Sequence, residues 1–278
     1  MSARLRRIAC AALLALSTPG VYAADQPEED DPRLAPGQGA LLRDDYAQAI
    51  DALQPLAKED IVQAQFLLAM ALEKAPAPYG KADEAFAWYQ KAAKAGLAAA
   101  QNNLGAMYFD GRGTKADPAE AVRWYKAAAE QGFAVAQYNL ALLYANGRGV
   151  ARDFKETARW TEKAATAGLA NAQALYGELL LKGRGVEPNA TEAARWFLFA
   201  ARQKHAGAQY FLGAMLQKGE GVDRDLTAAH GWFARSAQGG NRNAMLELAK
   251  IFDMGLGVPA DAEEATLWRE RAGFEKKK

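Results

Sequence analysis

Apolar side chains recur three and four residues apart through most of the chain, in runs broken by short glycine-bearing polar stretches. In "AVAQYNLALLYANGRGV", Ala136, Leu140, Leu143 and Tyr144 fall on one stripe at 3.6-residue spacing, the mark of an amphipathic helix. In the following "DFKETARWTEKAATAG", Thr157, Trp160, Ala164 and Ala165 share a face, and the pattern stops at Gly168. The pattern predicts an antiparallel helix pair, a first helix (A) and a second (B).

This unit repeats. The tryptophans stand at Trp88, Trp124, Trp160, Trp196, Trp232 and Trp268, every gap being 36 residues. The same register carries Ala64, Ala100, Ala136, Ala172, Ala208 and Ala244, then Gln65, Gln101, Gln137, Gln173 and Gln209, with Met245 breaking the column. A fixed period of this length predicts stacked helix pairs, because one pair cannot bury its own apolar stripe. The six tryptophans are expected in that core, and small residues such as Ala100 and Gly105 are expected to let helices approach closely.

The B helices have a start signal in five of six copies, Lys81 standing at the N-cap position of the first. Asp117, Asp153, Asn189, Asp225 and Asp261 stand at the N-cap position, and Glu120, Glu156, Glu192 and Glu264 stand three residues after four of them, the spacing of a reciprocal capping box. Gly-x-Gly pairs begin at Gly111, Gly147, Gly183, Gly219 and Gly255. They lack the preceding strand and the Lys-Ser/Thr ending of a phosphate cradle, and read as helix ends and chain reversals.

Taken together, Ala-Gln, Leu-Gly-x-x-Tyr, Gly-x-Gly-Val, Asp, Trp and Lys-Ala-Ala-x-x-Gly recur in one order, and this resembles the Sel1-like repeat, a relative of the tetratricopeptide repeat. The resemblance covers residues 61–278 as six repeats, about 61–96, 97–132, 133–168, 169–204, 205–240 and 241–278. It implies an all-α fold, a right-handed α-solenoid of antiparallel helix pairs with a concave face lined by the A helices. It also implies a role in binding other proteins, such as scaffolding an envelope complex. The first repeat departs from the pattern, with Ala75 and Ala77 where glycines belong. In the last, Thr266 and Arg269 make the outer helix polar, as a terminal cap requires.

The segments before the repeats are read separately. Arg4, Arg6 and Arg7, an apolar run from Ile8 to Leu16 and the small-residue site ending at Ala23 make residues 1–23 a secretory signal peptide, cut after Ala23. The run is too short for a spanning helix, so stable membrane insertion is not expected. Residues 24–43, acidic and rich in Pro and Gly, read as a flexible linker, and residues 44–60 as an N-terminal capping helix. Removing the leader takes three arginines and no acid, moving the formal charge from +1 to −2, and takes the single cysteine, Cys10. The mature chain then has no disulfide, no thiol nucleophile and no basic footprint for nucleic acid.

Removing core and cap columns leaves the residues able to act. Phe66, Asn102, Asn103, Tyr138, Asn139, Leu142, Glu178, Tyr210 and Phe211 are expected along the A-helix groove. Rings there supply contact area, and amides satisfy the backbone of a partner protein or extended peptide. Arg112, Arg148 and Arg184 are expected as exposed edge cations. A monomer needing no cofactor or metal follows, with periplasmic or secreted location. The rival class is an enzyme that binds penicillin or weakly hydrolyses β-lactams, like cysteine-rich Sel1-like proteins. This chain lacks their cysteines, and its one serine after the leader, Ser236, has no partner motif. His205 and His230 occupy columns that are otherwise apolar or mixed, and read as packed residues. No catalytic residue is expected.

Overall fold

The computed structural model describes residues 31–273. The expected signal peptide, residues 1–23, and residues 24–30 lie outside them, as do residues 274–278. The described residues form one 3-10 helix, Pro32–Leu34, and fourteen α-helices: α1 Ala35–Leu42, α2 Tyr46–Lys58, α3 Val62–Lys74, α4 Ala82–Lys94, α5 Ala98–Asp110, α6 Pro118–Glu130, α7 Ala134–Asn146, α8 Phe154–Thr166, α9 Ala170–Lys182, α10 Ala190–Arg202, α11 Ala206–Lys218, α12 Leu226–Gln238, α13 Arg242–Met254 and α14 Ala262–Arg271. There is no strand among them. The A helices are α3, α5, α7, α9, α11 and α13; α4, α6, α8, α10, α12 and α14 are the B helices. The chain divides into two compact units, the first ending at Asp153 and the second starting at Phe154. Within each, consecutive helices pack on one another, as in an α-solenoid of helix pairs.

The expected linker is partly helical. Asp31 caps the 3-10 turn, and α1 follows directly, burying Leu34, Ala40 and Leu41. Composition misled here because Gly37 is a packing residue. A Cβ on it would fall 2.4 Å from Leu53 Cγ of α2.

Burial in the B helices centres one residue after the tryptophan. Tyr89, Tyr125, Thr161, Phe197 and Phe233 are buried, whereas Trp88, Trp124, Trp196, Trp232 and Trp268 are only half-buried. Trp160, 1% exposed, is the exception, in the helix where Thr161 stands in the ring column. The expectation that all six tryptophans are core is therefore corrected. The buried rings lie on glycines of the paired A helix. A Cβ on Gly105, Gly177 or Gly213 would come 3.0 Å from the ring of Tyr125, Phe197 or Phe233.

The capping box is made on one side only. Asp117, Asn189, Asp225 and Asp261 accept from the backbone N–H groups of their own first turns, as expected. The N-cap N–H, which Glu was expected to bind in all of these copies but that of Asp225, instead donates to a carbonyl nine residues back: Asp117 to Tyr108 (2.8 Å), Asp153 to Tyr144 (3.1 Å), Asn189 to Leu180 (3.0 Å), Asp225 to Leu216 (3.0 Å) and Asp261 to Phe252 (2.8 Å). A backbone acceptor held by the preceding helix outcompetes a mobile side chain. The glutamates are thereby free to take the indole N–H one turn on, Trp160 to Glu156 at 3.0 Å and Trp196 to Glu192 at 3.4 Å.

The glutamine column closes the other joint. Buried Gln65, Gln101, Gln137, Gln173 and Gln209 donate to Ala57, Ala93, Ala129, Ala165 and Ala201 carbonyls at 3.1 to 3.3 Å. These carbonyls lie in the last turn of the preceding helix, where the i+4 donor is lost and each also accepts the backbone N–H three residues on.

Candidate functional site

In the first unit the A-helix wall is polar and internally bonded. Asn139 Nδ2 donates to Asn102 Oδ1 (3.0 Å), Asn102 Nδ2 to Asn103 Oδ1 (3.1 Å), and Asn103 Nδ2 to the Tyr89 hydroxyl (3.1 Å). Tyr89 in turn donates to Glu73 Oε2 at 2.8 Å, and Glu73 also holds the Arg112 guanidinium. This line runs through three successive A helices, α3, α5 and α7. Asn102 and Asn139 are 4% and 5% exposed. They were expected to offer their amides to a partner; instead they are buried and satisfy each other, as a buried amide must. Asn103, Phe66, Tyr138 and Leu142 remain half-exposed on this wall, Phe66 against Tyr89 with ring centres 5.9 Å apart.

The same columns in the second unit carry rings. Phe211 stacks on buried Phe197, with centroids 4.9 Å apart and planes 13° from parallel, and Tyr210 leans on Phe233 at 5.8 Å and on Phe211 at 5.7 Å. Tyr210 and Phe211 are half-buried. Glu178, on α9, is paired with Lys182 one turn on. This is a rigid apolar step whose orientation is set by rings beneath it.

Of the edge arginines, Arg112 is corrected. It is not a free cation but reaches 39 residues back to Glu73, and its Nε lies 3.3 Å from Asp110 Oδ2. Burial pulls its pKa down and pushes that of Asp110 up. Arg148 is exposed yet stacked over Phe109 at 4.1 Å, also 39 residues back, and Arg184 lies over Phe154 at 5.8 Å. Glu73 and Phe109 occupy one column, so the loop arginine of one repeat binds whatever acid or ring the previous repeat presents. Sequence reasoning missed Glu73 and Tyr89; the signal was an acid in a column that next holds Phe109.

The candidate chemistry of the rival class has no geometry behind it. Ser236 is buried and donates to the Ala206 carbonyl at 2.6 Å, which leaves its hydroxyl without access or a base. His205 Nδ1 accepts from Ala208 N at 3.0 Å, so it caps α11. His230 packs edge-on against Phe252. No three His, Cys, Asp or Glu side chains among the described residues gather as metal ligands. No helix among the described residues is long and apolar enough to cross a membrane.

Among curated proteins none matches the chain. Two solved structures are similar at 32% identity. One is a protective antigen present in uropathogenic Escherichia coli strains, with TM-score 0.81 over 87% of this chain and 52% of that protein, so the chain spans about half its length. The other is a Sel1 repeat protein from Oxalobacter formigenes, with TM-score 0.75 over 88% of this chain and 98% of that one. The Sel1 repeat model matches residues 62–97, 98–133, 134–169, 170–205, 206–241 and 242–273. Sel1 repeat proteins generally mediate protein–protein interaction. With six consecutive matches covering α3 to α14, this chain belongs to the Sel1 repeat family.

Proposed function

We propose that this protein is exported to the periplasm, where, as a monomer without catalytic activity, it holds a partner protein or extended peptide against its A-helix walls and so assembles or restrains an envelope complex. The leader-like residues 1–23 support export. The observation that carries the binding role is the Tyr210–Phe211 step, two half-exposed rings held in place by buried Phe197 and Phe233. Rings fixed before binding lose little side-chain entropy when a partner covers them, which is why such residues dominate interface energies. Glu178 belongs to the same unit's wall, and Phe66, Asn103, Tyr138 and Leu142 line the wall of the first unit, with Asn102 and Asn139 beneath them. Binding of this kind needs no cofactor.

The test is cross-linking capture from a periplasmic fraction. Replacing Tyr210 and Phe211 together by Ala is expected to weaken capture about tenfold or more, for a loss of about 1.4 kcal/mol or more. Helicity should be kept. Unchanged capture by the folded variant would place the partner elsewhere.

A further inference from the structure

We propose that the exposed face of α10 is a docking surface for an anionic lipid membrane. The repeat itself supplies the control. Three residues after each tryptophan stand Lys91, Ala127, Lys163, Phe199, Arg235 and Arg271, and four of these cations lie over the indole of their own helix at 4.4 to 4.7 Å. At Phe199 the cation is replaced by a ring that is 46% exposed and meets Trp196 edge-on at 5.7 Å.

A second column departs on the same helix. Arg123 and Arg159, each just before its tryptophan, pair with the glutamate of their own first turn, Glu120 and Glu156. Arg195 makes no such pair among the described residues, although Glu192 stands at the same spacing and accepts from the Trp196 indole at 3.4 Å. Arg195 and Arg202 lie four residues before and three after Phe199, on its side of the helix. Both are exposed and without an ion pair among the described residues. The neighbouring B helices of this unit carry Lys163 and Arg235 in the Phe199 column. An exposed ring thus shares one side of α10 with two exposed arginines that have no ion pair among the described residues.

Charge complementarity calls for an anionic occupant, and the shape of the patch calls for a fluid one. A protein interface needs on the order of 1,000 Å² with matched apolar pockets; Phe199 is the one large apolar side chain exposed on α10. A headgroup layer requires no such match, since phosphates move to the guanidinium groups and the ring enters the interfacial region. The near-neutral charge of the whole chain does not prevent this, because screening confines the field to about 10 Å. The inference does not depend on the partner-binding role of the A-helix wall.

The test uses the full chain and sedimentation with vesicles of phosphatidylcholine alone or mixed with phosphatidylglycerol. Binding is expected only to the anionic vesicles, weakened by salt, and reduced at least about tenfold in an Arg195→Gln/Arg202→Gln variant. Phe199→Lys restores the residue type of Lys91 and Lys163, so it should fold, and it should bind less tightly despite the added charge. Absence of binding, equal binding to neutral vesicles, or a Phe199→Lys variant that binds more tightly would overturn the proposal. So would loss of an acidic protein's capture on these substitutions without any vesicle binding. Partner capture through Tyr210 and Phe211 is read separately and stands or falls on its own.

Discussion

His205 stands where other repeats carry Ile61, Leu97, Phe133 or Leu169, and it caps α11 only while Nδ1 is unprotonated. Burial lowers its pKa, and the charge of Glu178 opposes that shift. The unfolded chain therefore takes up the proton first as pH falls. Stability from this group is full above about pH 6.5, the unfolded value, and is lost as pH drops toward the folded one. Asn241 performs the same cap on α13 without titrating. A His205→Asn variant should accordingly lose less stability than the parent between about pH 7.5 and pH 5, as read by denaturant unfolding at each pH. The buried ring column makes a second residue-scale prediction. Phe233→Ala and Trp160→Ala should each cost about 3–5 kcal/mol, and Trp232→Ala distinctly less, in thermal or denaturant unfolding. The stripe of a helix is wide enough to include both a tryptophan and the residue after it. Hydrophobicity alone favours the larger ring, whereas the paired glycines at 105, 177 and 213 show which one goes in. That pairing was legible in the sequence, but only once the separation of 20 residues between glycine and ring is known.

At the scale of elements, helix positions and the period were readable because caps, stripes and turn glycines agree in the last five copies. The two glycines of each loop turned out unequal in kind to those ending the B helices. Gly149 has φ 73°, and a Cβ on it would run into the Pro118 carbonyl of the previous B helix. Gly132 has φ 86° but open space around it, and Lys204 in its column shows that a side chain is accepted there at φ 63°. Gly132→Lys should thus cost about 1–2 kcal/mol, the left-handed penalty alone, and Gly149→Ala clearly more. Comparing the melting midpoints of the two variants checks this. What the sequence concealed were side chains reaching across repeats. Arg112 seeks Glu73 over 39 residues, and no local pattern predicts a partner at that distance.

For the whole molecule, stability in a repeat array is close to a sum of each repeat and its neighbours, so damage at an end stays there. In α14 the ring column holds Arg269, paired with Asp253 of α13, and Thr266 bonds back to Ala262, so the last helix is polar outside and weakly anchored. Trp268→Ala should raise amide exchange in α13 and α14 while leaving α5 to α7 protected, as hydrogen-exchange mass spectrometry would show.

The bond from each N-cap N–H to the carbonyl nine residues before it recurs even in the first repeat, where Lys81 reaches Leu72 at 3.0 Å across a loop of different composition. One residue more or fewer in that loop would forfeit the bond and rotate the next helix off its face. Evolution of such a gene is therefore quantised. Point substitutions are free to rewrite surfaces, but the chain grows or shrinks by duplication or loss of whole 36-residue modules, and intermediate lengths are selected against.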